Sequence, residues 1–112
     1  MFNGVVLEKE EGEGIARALG KKKAALLQNH GLLTVGETIE EAVFWFATLE
    51  KCCQVQLLAE AAVGGRREEL VRIGEREALN AKSTVGTPLA GFFSGLGMFE
   101  VMERETGGAH LL

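Results

Sequence analysis

Asn29-His30-Gly31 are the residues of this chain whose types and placement could do chemistry. They stand between two short apolar runs, Ala24-Ala25-Leu26-Leu27-Gln28 and Leu32-Leu33-Thr34-Val35. An imidazole at a turn between two strands can point into a cleft and ligate a metal. A histidine beside glycine in a turn is more often a hydrogen-bonded structural residue, and both readings stand open for His30. A zinc centre needs three or four converging ligands. The sequence offers one other histidine, His110, and no His-x-His, His-x-x-x-His or Cys-x-x-Cys. Cys52 and Cys53 are neighbours. On a helix their side chains diverge by about 100°, so they read as buried structural thiols rather than as a ligand pair. His30 is thus one piece of a site.

The remaining chemistry-bearing patterns are weaker. Gly12-Glu13-Gly14 is not a dinucleotide fingerprint, because Arg17 stands where the third glycine belongs and no strong strand precedes it. The glycines at 91, 95 and 97 are not followed by Gly-Lys-Ser/Thr, so they do not make a phosphate loop. Ser83, Thr84 and Ser94 have no histidine nearby in sequence to serve as a base. The net charge is −4 and basic residues cluster only at Lys21-Lys22-Lys23 and Arg66-Arg67. A nucleic-acid partner needs a basic face, so none is expected. Lys21 to Lys23 read as a solvated turn. Trp45 and the phenylalanines read as core or subunit contacts.

Several elements must position the turn. With 112 residues and 46% hydrophobic content the chain is one domain or part of one. Residues 5–7 suggest a short strand, and residues 10–19 a helix with an acidic first turn and Gly20 as its stop. Residues 24–28 are apolar without alternation and predict a strand buried on both faces, and residues 32–35 predict the next strand. Gly36 breaks the second strand. Thr38 and Glu41 then match a capping box, with each side chain reaching the other's backbone N–H. The helix they open runs to about residue 62, where Gly64-Gly65 ends it. Ile39, Ala42, Val43, Phe46, Leu49, Cys53 and Leu57 line one face of it at helical spacing. Phe44, Trp45, Cys52, Leu58 and Ala59 are apolar off that stripe, so the helix is expected to pack on two sides. Residues 66–82 predict a second, more polar helix, and residues 83–88 a loop. Residues 91–97 predict a flexible apolar segment docking as a lid or tail, and 98–105 a last short helix. The N-terminus has neither the basic stretch nor the apolar core of a signal peptide, and no run is long enough to span a bilayer. No disulfide framework is readable, so a reducing, cytoplasmic setting is the expectation.

The run from Ala24 through Asn29-His30-Gly31 to Gly36, followed by Thr38-Ile39-Glu40-Glu41-Ala42 and Leu49-Glu50, resembles the class II aldolase/adducin head domain. The resemblance covers residues 4–62. Residues 85–107 resemble, less specifically, the C-terminal tail of the fungal-type members. The resemblance implies an α/β fold: part of a three-layer α/β/α domain, with strands around the Asn-His-Gly turn packed by a long helix. It divides the chain into residues 1–65, the C-terminal portion of that domain, and 66–112, a helical and loop extension.

In the family, the histidine of Asn-His-Gly is the last ligand of a catalytic zinc, which by position is His30. A His-x-His pair and an acid/base glutamate lie upstream in that family, before the point that corresponds to Met1 here. The resemblance therefore implies a truncated member. Its parent chemistry is zinc-dependent aldol cleavage or epimerisation of small sugar phosphates or hydroxy-aldehydes, and this chain alone is expected to bind no zinc and to be inactive. The family also contains adducin-like heads that serve the actin–spectrin cytoskeleton without catalysis, which is the alternative. Family heads assemble as oligomers, so a homo-oligomer with Phe44 and Trp45 near its contacts is also implied.

Overall fold

The computed structural model describes residues 9–109. The strand expected at 5–7 lies outside them, as does His110. The elements are α1 (Lys9–Leu19), β1 (Ala24–Leu27), β2 (Gly31–Thr34), α2 (Ile39–Ala62), a 3₁₀ turn (Arg67–Glu69), α3 (Glu75–Val85) and α4 (Pro88–Thr106). The α/β expectation holds. The sheet among the described residues is a two-stranded antiparallel hairpin, with Ala24 opposite Thr34 and Leu27 opposite Gly31. Gln28 belongs to the turn and Val35 follows the strand, so each strand is one residue shorter at its C-terminal end than expected, and β2 begins at Gly31.

The hairpin closes because Asn29 and Gly31 take positive φ, 60° and 126°. Asparagine and glycine tolerate that region better than other residues. The hairpin's base is closed by the Val35 N–H donating to the Lys23 carbonyl at 2.9 Å. Its link to α2 is the Thr34 hydroxyl, which donates to the Ala42 carbonyl at 2.9 Å.

α2 starts and stops where its sequence says. The Glu41 N–H donates to the Thr38 hydroxyl at 3.1 Å, and Gly64 and Gly65 follow its end at positive φ. Its 24 residues give a rod of about 36 Å. The expected stripe is only partly covered: Ala42, Leu49 and Cys53 are half-buried. Ile39 is 72% exposed and Leu57 68%. α4 packs against the side carrying Glu40, Glu41 and Trp45, where its Gly91 and Gly95 let the two helices approach closely. Cys52, read from sequence as buried, is exposed.

The C-terminal third departs furthest from the sequence reading. Residues 66–82 do not form one helix. A single 3₁₀ turn is followed by irregular chain to Gly74, which N-caps α3. The predicted loop at 83–88 is instead the end of α3 and the start of α4. The predicted flexible segment and last short helix are one helix, α4. Its start is fixed by the Thr87 hydroxyl accepting from Ala90 N–H at 3.2 Å and by Pro88 in the first turn. Gly107 ends it in the left-handed region. No single helix among the described residues is long and apolar enough to cross a membrane.

The chain is poorly covered. Among the described residues no apolar side chain is buried. The accessible surface is 9026 Å², where a folded 12.0 kDa monomer exposes about 6,000 Å². The Cα radius of gyration is 17.1 Å, against about 13 Å for a compact domain of this length. An open groove lined by Phe44, Val55, Leu70, Ile73 and Met98 runs beside α2. The excess surface is about 3,000 Å² over that norm, well above the roughly 800 Å² per partner that a standard interface buries. Self-association is the expected result. Sedimentation at tens of micromolar should show species larger than the monomer. A sharp monomer boundary with a cooperative thermal transition would defeat this expectation.

Candidate functional site

His30 sits at the tip of the hairpin. Its backbone N–H donates to the Leu27 carbonyl at 3.0 Å, which fixes the turn, and the residue is exposed. Among the described residues, no three His, Cys, Asp or Glu side chains come together as a metal site requires. The residues described therefore do not by themselves fit a complete zinc centre. Cys52 and Cys53 lie on α2 and are free thiols.

A second constellation lies where the hairpin meets the helices. Glu41 is 3% exposed and is the sole buried charged side chain among the described residues. The Trp45 indole N–H donates to its Oε1 at 2.7 Å, and the Glu37 backbone N–H donates to its Oε2 at 2.7 Å. The Lys23 ammonium stands 4.0 Å from Oε1. That ammonium also donates to the Gly86 carbonyl at 2.7 Å and lies 4.0 Å from the centroid of the Trp45 ring. Burial alone would push the Glu41 carboxyl up. The Trp45 and Glu37 donors and the Lys23 charge outweigh burial and hold it below its ordinary value of 4.5. Glu41 is thus an anion under working conditions, with its oxygens taken by the protein. It can orient its neighbours, but it presents no open face for substrate.

Sequence reasoning placed Glu41 in a capping box, and half of that holds. Thr38 caps Glu41, but the Glu41 carboxylate reaches the Glu37 N–H, one residue before the cap, and turns toward Trp45. Gly36 permits this. A Cβ there would stand 3.1 Å from the Glu41 carboxyl carbon and 2.8 Å from the Ala42 nitrogen. Lys23, read as part of a solvated turn, is half-buried in the cluster. The Glu41–Trp45 spacing of four was legible as one helix face. The Lys23–Gly86 bond joins positions 63 apart, and no local signal announces it.

A sequence profile described as the Class II Aldolase and Adducin N-terminal domain matches residues 3–57, the stretch that contains the hairpin and most of α2. The chain belongs to that family. It is 55% identical over 69 residues to the decarboxylase NovR of Streptomyces niveus, covering 62% of this chain and 25% of that protein. It is 36% identical over 88 residues to alpha-adducin of Rattus norvegicus, covering 78% of this chain and 12% of that protein. Its fold matches the solved L-fuculose 1-phosphate aldolase from Glaciozyma antarctica PI12 with a TM-score of 0.76 and 48% identity. That match covers 85% of this chain and 36% of the aldolase. The chain spans a quarter of the decarboxylase and about a third of the aldolase it matches. The class II aldolase/adducin domain is thus represented here in part, by the hairpin with its Asn-His-Gly turn and the helix behind it.

Proposed function

We propose that this chain carries one wall of a class II aldolase-type centre, with His30 as one ligand of a zinc ion. The parent activity is aldol cleavage or epimerisation of small sugar phosphates or hydroxy-aldehydes. The observation that carries this reading is the aldolase-like hairpin, which places His30, an exposed residue, at its turn. It is supported by 48% identity to an L-fuculose 1-phosphate aldolase across 85% of this chain. With His30 as one of its ligands, a zinc ion bound in such a centre would supply Lewis-acid polarisation of a substrate carbonyl. Among the described residues no further ligand joins His30, and a single imidazole does not hold the ion in that geometry, so on this reading the 112 residues by themselves are expected to carry out no aldol chemistry. The reading places the chain in the cytoplasm.

The test has two arms. The purified, tag-free chain is expected to lose zinc under mild chelation and to leave L-fuculose 1-phosphate uncleaved. Stoichiometric zinc that survives chelation and disappears in His30→Ala would contradict this, whereas zinc that persists in His30→Ala is adventitious. In the second arm, the matching segment of the Glaciozyma aldolase is replaced by this chain's hairpin and α2. That chimera is expected to retain zinc, and to lose it with His30→Ala. A chimera indifferent to His30 would overturn the ligand assignment.

A second reading is a non-catalytic, adducin-like head associated with the actin cytoskeleton. What supports it is the alpha-adducin match over 78% of this chain, a shorter reach than the 85% of the aldolase match. The large uncovered surface suits a module that works by assembly. Co-sedimentation with actin filaments or spectrin supports this reading if the chain pellets with them, and an empty pellet counts against it. The decarboxylase, the aldolase and the adducin share the domain but not the job, so fold alone does not choose between them.

A further inference from the structure

We propose that Lys23, Glu41 and Trp45 form a latch that holds the C-terminal arm, Gly86 and α4, to the base of the His30 hairpin, so that arm docking and hairpin order are one equilibrium. The proposal holds whether or not His30 binds metal.

Lys23 is the residue immediately before β1. Its carbonyl closes the hairpin base by accepting from Val35 N–H, while its side chain donates to the Gly86 carbonyl. Its ammonium meets three groups from two further parts of the chain: the Glu41 carboxylate and the Trp45 ring on α2, and the Gly86 carbonyl. Gly86 is the C-cap of α3, and Thr87 beside it is the N-cap of α4. A cation at that carbonyl also faces the negative end of the α3 dipole. One side chain therefore ties the hairpin base, α2 and the joint between the last two helices.

Glu41 and Trp45 complete the device. The Glu41 carboxylate is gripped by the corner between β2 and α2 through Glu37 N–H and Gly36. On the other side the indole forms the floor on which α4 rests. A Cβ at Gly91 would stand 2.8 Å from Trp45 Cζ2 and 2.7 Å from Glu41 Cγ. The ring that carries Lys23 thus also carries α4. α3 contributes no buried residue of its own. The arm lies beyond residues 3–57, the family-matched stretch, and the latch joins the two.

The lysine is suited to a reversible contact. Its side chain is 36% exposed and its distance to Glu41 is 4.0 Å, so water competes for the ammonium. Lys23 is accordingly a positioning residue: it acts on the hairpin through the arm and through Glu41.

Trp45 is the chain's one tryptophan, so its emission reports the latch directly. In the unmodified protein, native-state hydrogen exchange is expected to show amides of α4 around Gly95 and amides of the β1–β2 pair opening together, with the same denaturant dependence. Lys23→Met is expected to speed exchange of both groups about tenfold, the loss of one charged hydrogen bond, and to shift Trp45 emission to the red. Amides in the middle of α2 should change far less. Lys23→Arg keeps the charge and is expected to restore most of the protection. Should Lys23→Met fail to fold, exchange in the unmodified chain still decides. The latch is overturned if α4 and the hairpin open independently there, or if Lys23→Met leaves α4 protection and Trp45 emission unchanged.

Discussion

Gly95→Ala is expected to push α4 off α2. A Cβ at Gly95 would overlap the Glu40 carbonyl oxygen and stand 2.6 Å from its carbonyl carbon and 3.1 Å from its Cα. All three atoms are backbone, held within the first turn of a capped helix, so none can swing aside. Gly91 and Gly95 lie four residues apart and share one face of α4, and both are buried. Overpacking of this kind costs about 1–3 kcal/mol where the surroundings can yield, and more where they cannot. The loss of α4 would also uncover Trp45. The expected readout is a red shift of Trp45 emission together with a lower thermal midpoint. Gly97→Ala is the internal control. It lies in the same helix with nothing within 4 Å of a Cβ, so alanine's helix preference should stabilise it by about 0.5–1 kcal/mol. If the two substitutions behave alike, the close approach of α4 to α2 is wrong.

Glu41→Ala is the second large effect. It would strip the acceptor from the Trp45 indole N–H and the Glu37 N–H and leave the Lys23 charge without its carboxylate. An unsatisfied buried donor costs about 1–3 kcal/mol, and the partly exposed Lys23 recovers water, which discounts the ionic share. A loss of about 2–4 kcal/mol is therefore expected. Domains of this size hold only about 5–15 kcal/mol, and this one lacks buried apolar side chains among its described residues. Glu41→Gln retains one acceptor and should fall between wild type and alanine.

The same carboxylate sets a pH dependence. Its folded-state pKa lies below its ordinary value. Its stabilising share is thus complete above the unfolded carboxylate pKa of about 4.3 and is lost as pH falls through the lower folded value. Thermal midpoints followed by circular dichroism from about pH 6 downward are expected to drop on acidification. The drop should be shallower in Glu41→Gln, which has no proton to gain. Equal slopes in the two proteins would remove Glu41 as the cause.

Where structure is local, the residues themselves determined it. Thr38 and Gly64-Gly65 bound α2 because a hydroxyl caps one end and positive-φ glycines end the other. Asn29 and Gly31 close the hairpin because they tolerate left-handed backbone. That pattern, with the helix after it, carried the family as well. The C-terminal helices were not legible in the same way. Glycines at 91, 95 and 97 read locally as flexibility, since glycine is a poor helix former. Two of them are in fact contact points, and their cost is offset only once α2 lies against them. The apolar stripe of α2 likewise predicted a packed face that α4 does not use: Gly91 and Gly95 of α4 lie against Glu40, Glu41 and Trp45 instead. Lys23 looked like a solvated cation because Gly86 is 63 positions away. Local rules fix caps and turns within a few residues. Which face is covered, and which charge is buried, depends on segments distant in sequence, and only tertiary packing brings those together.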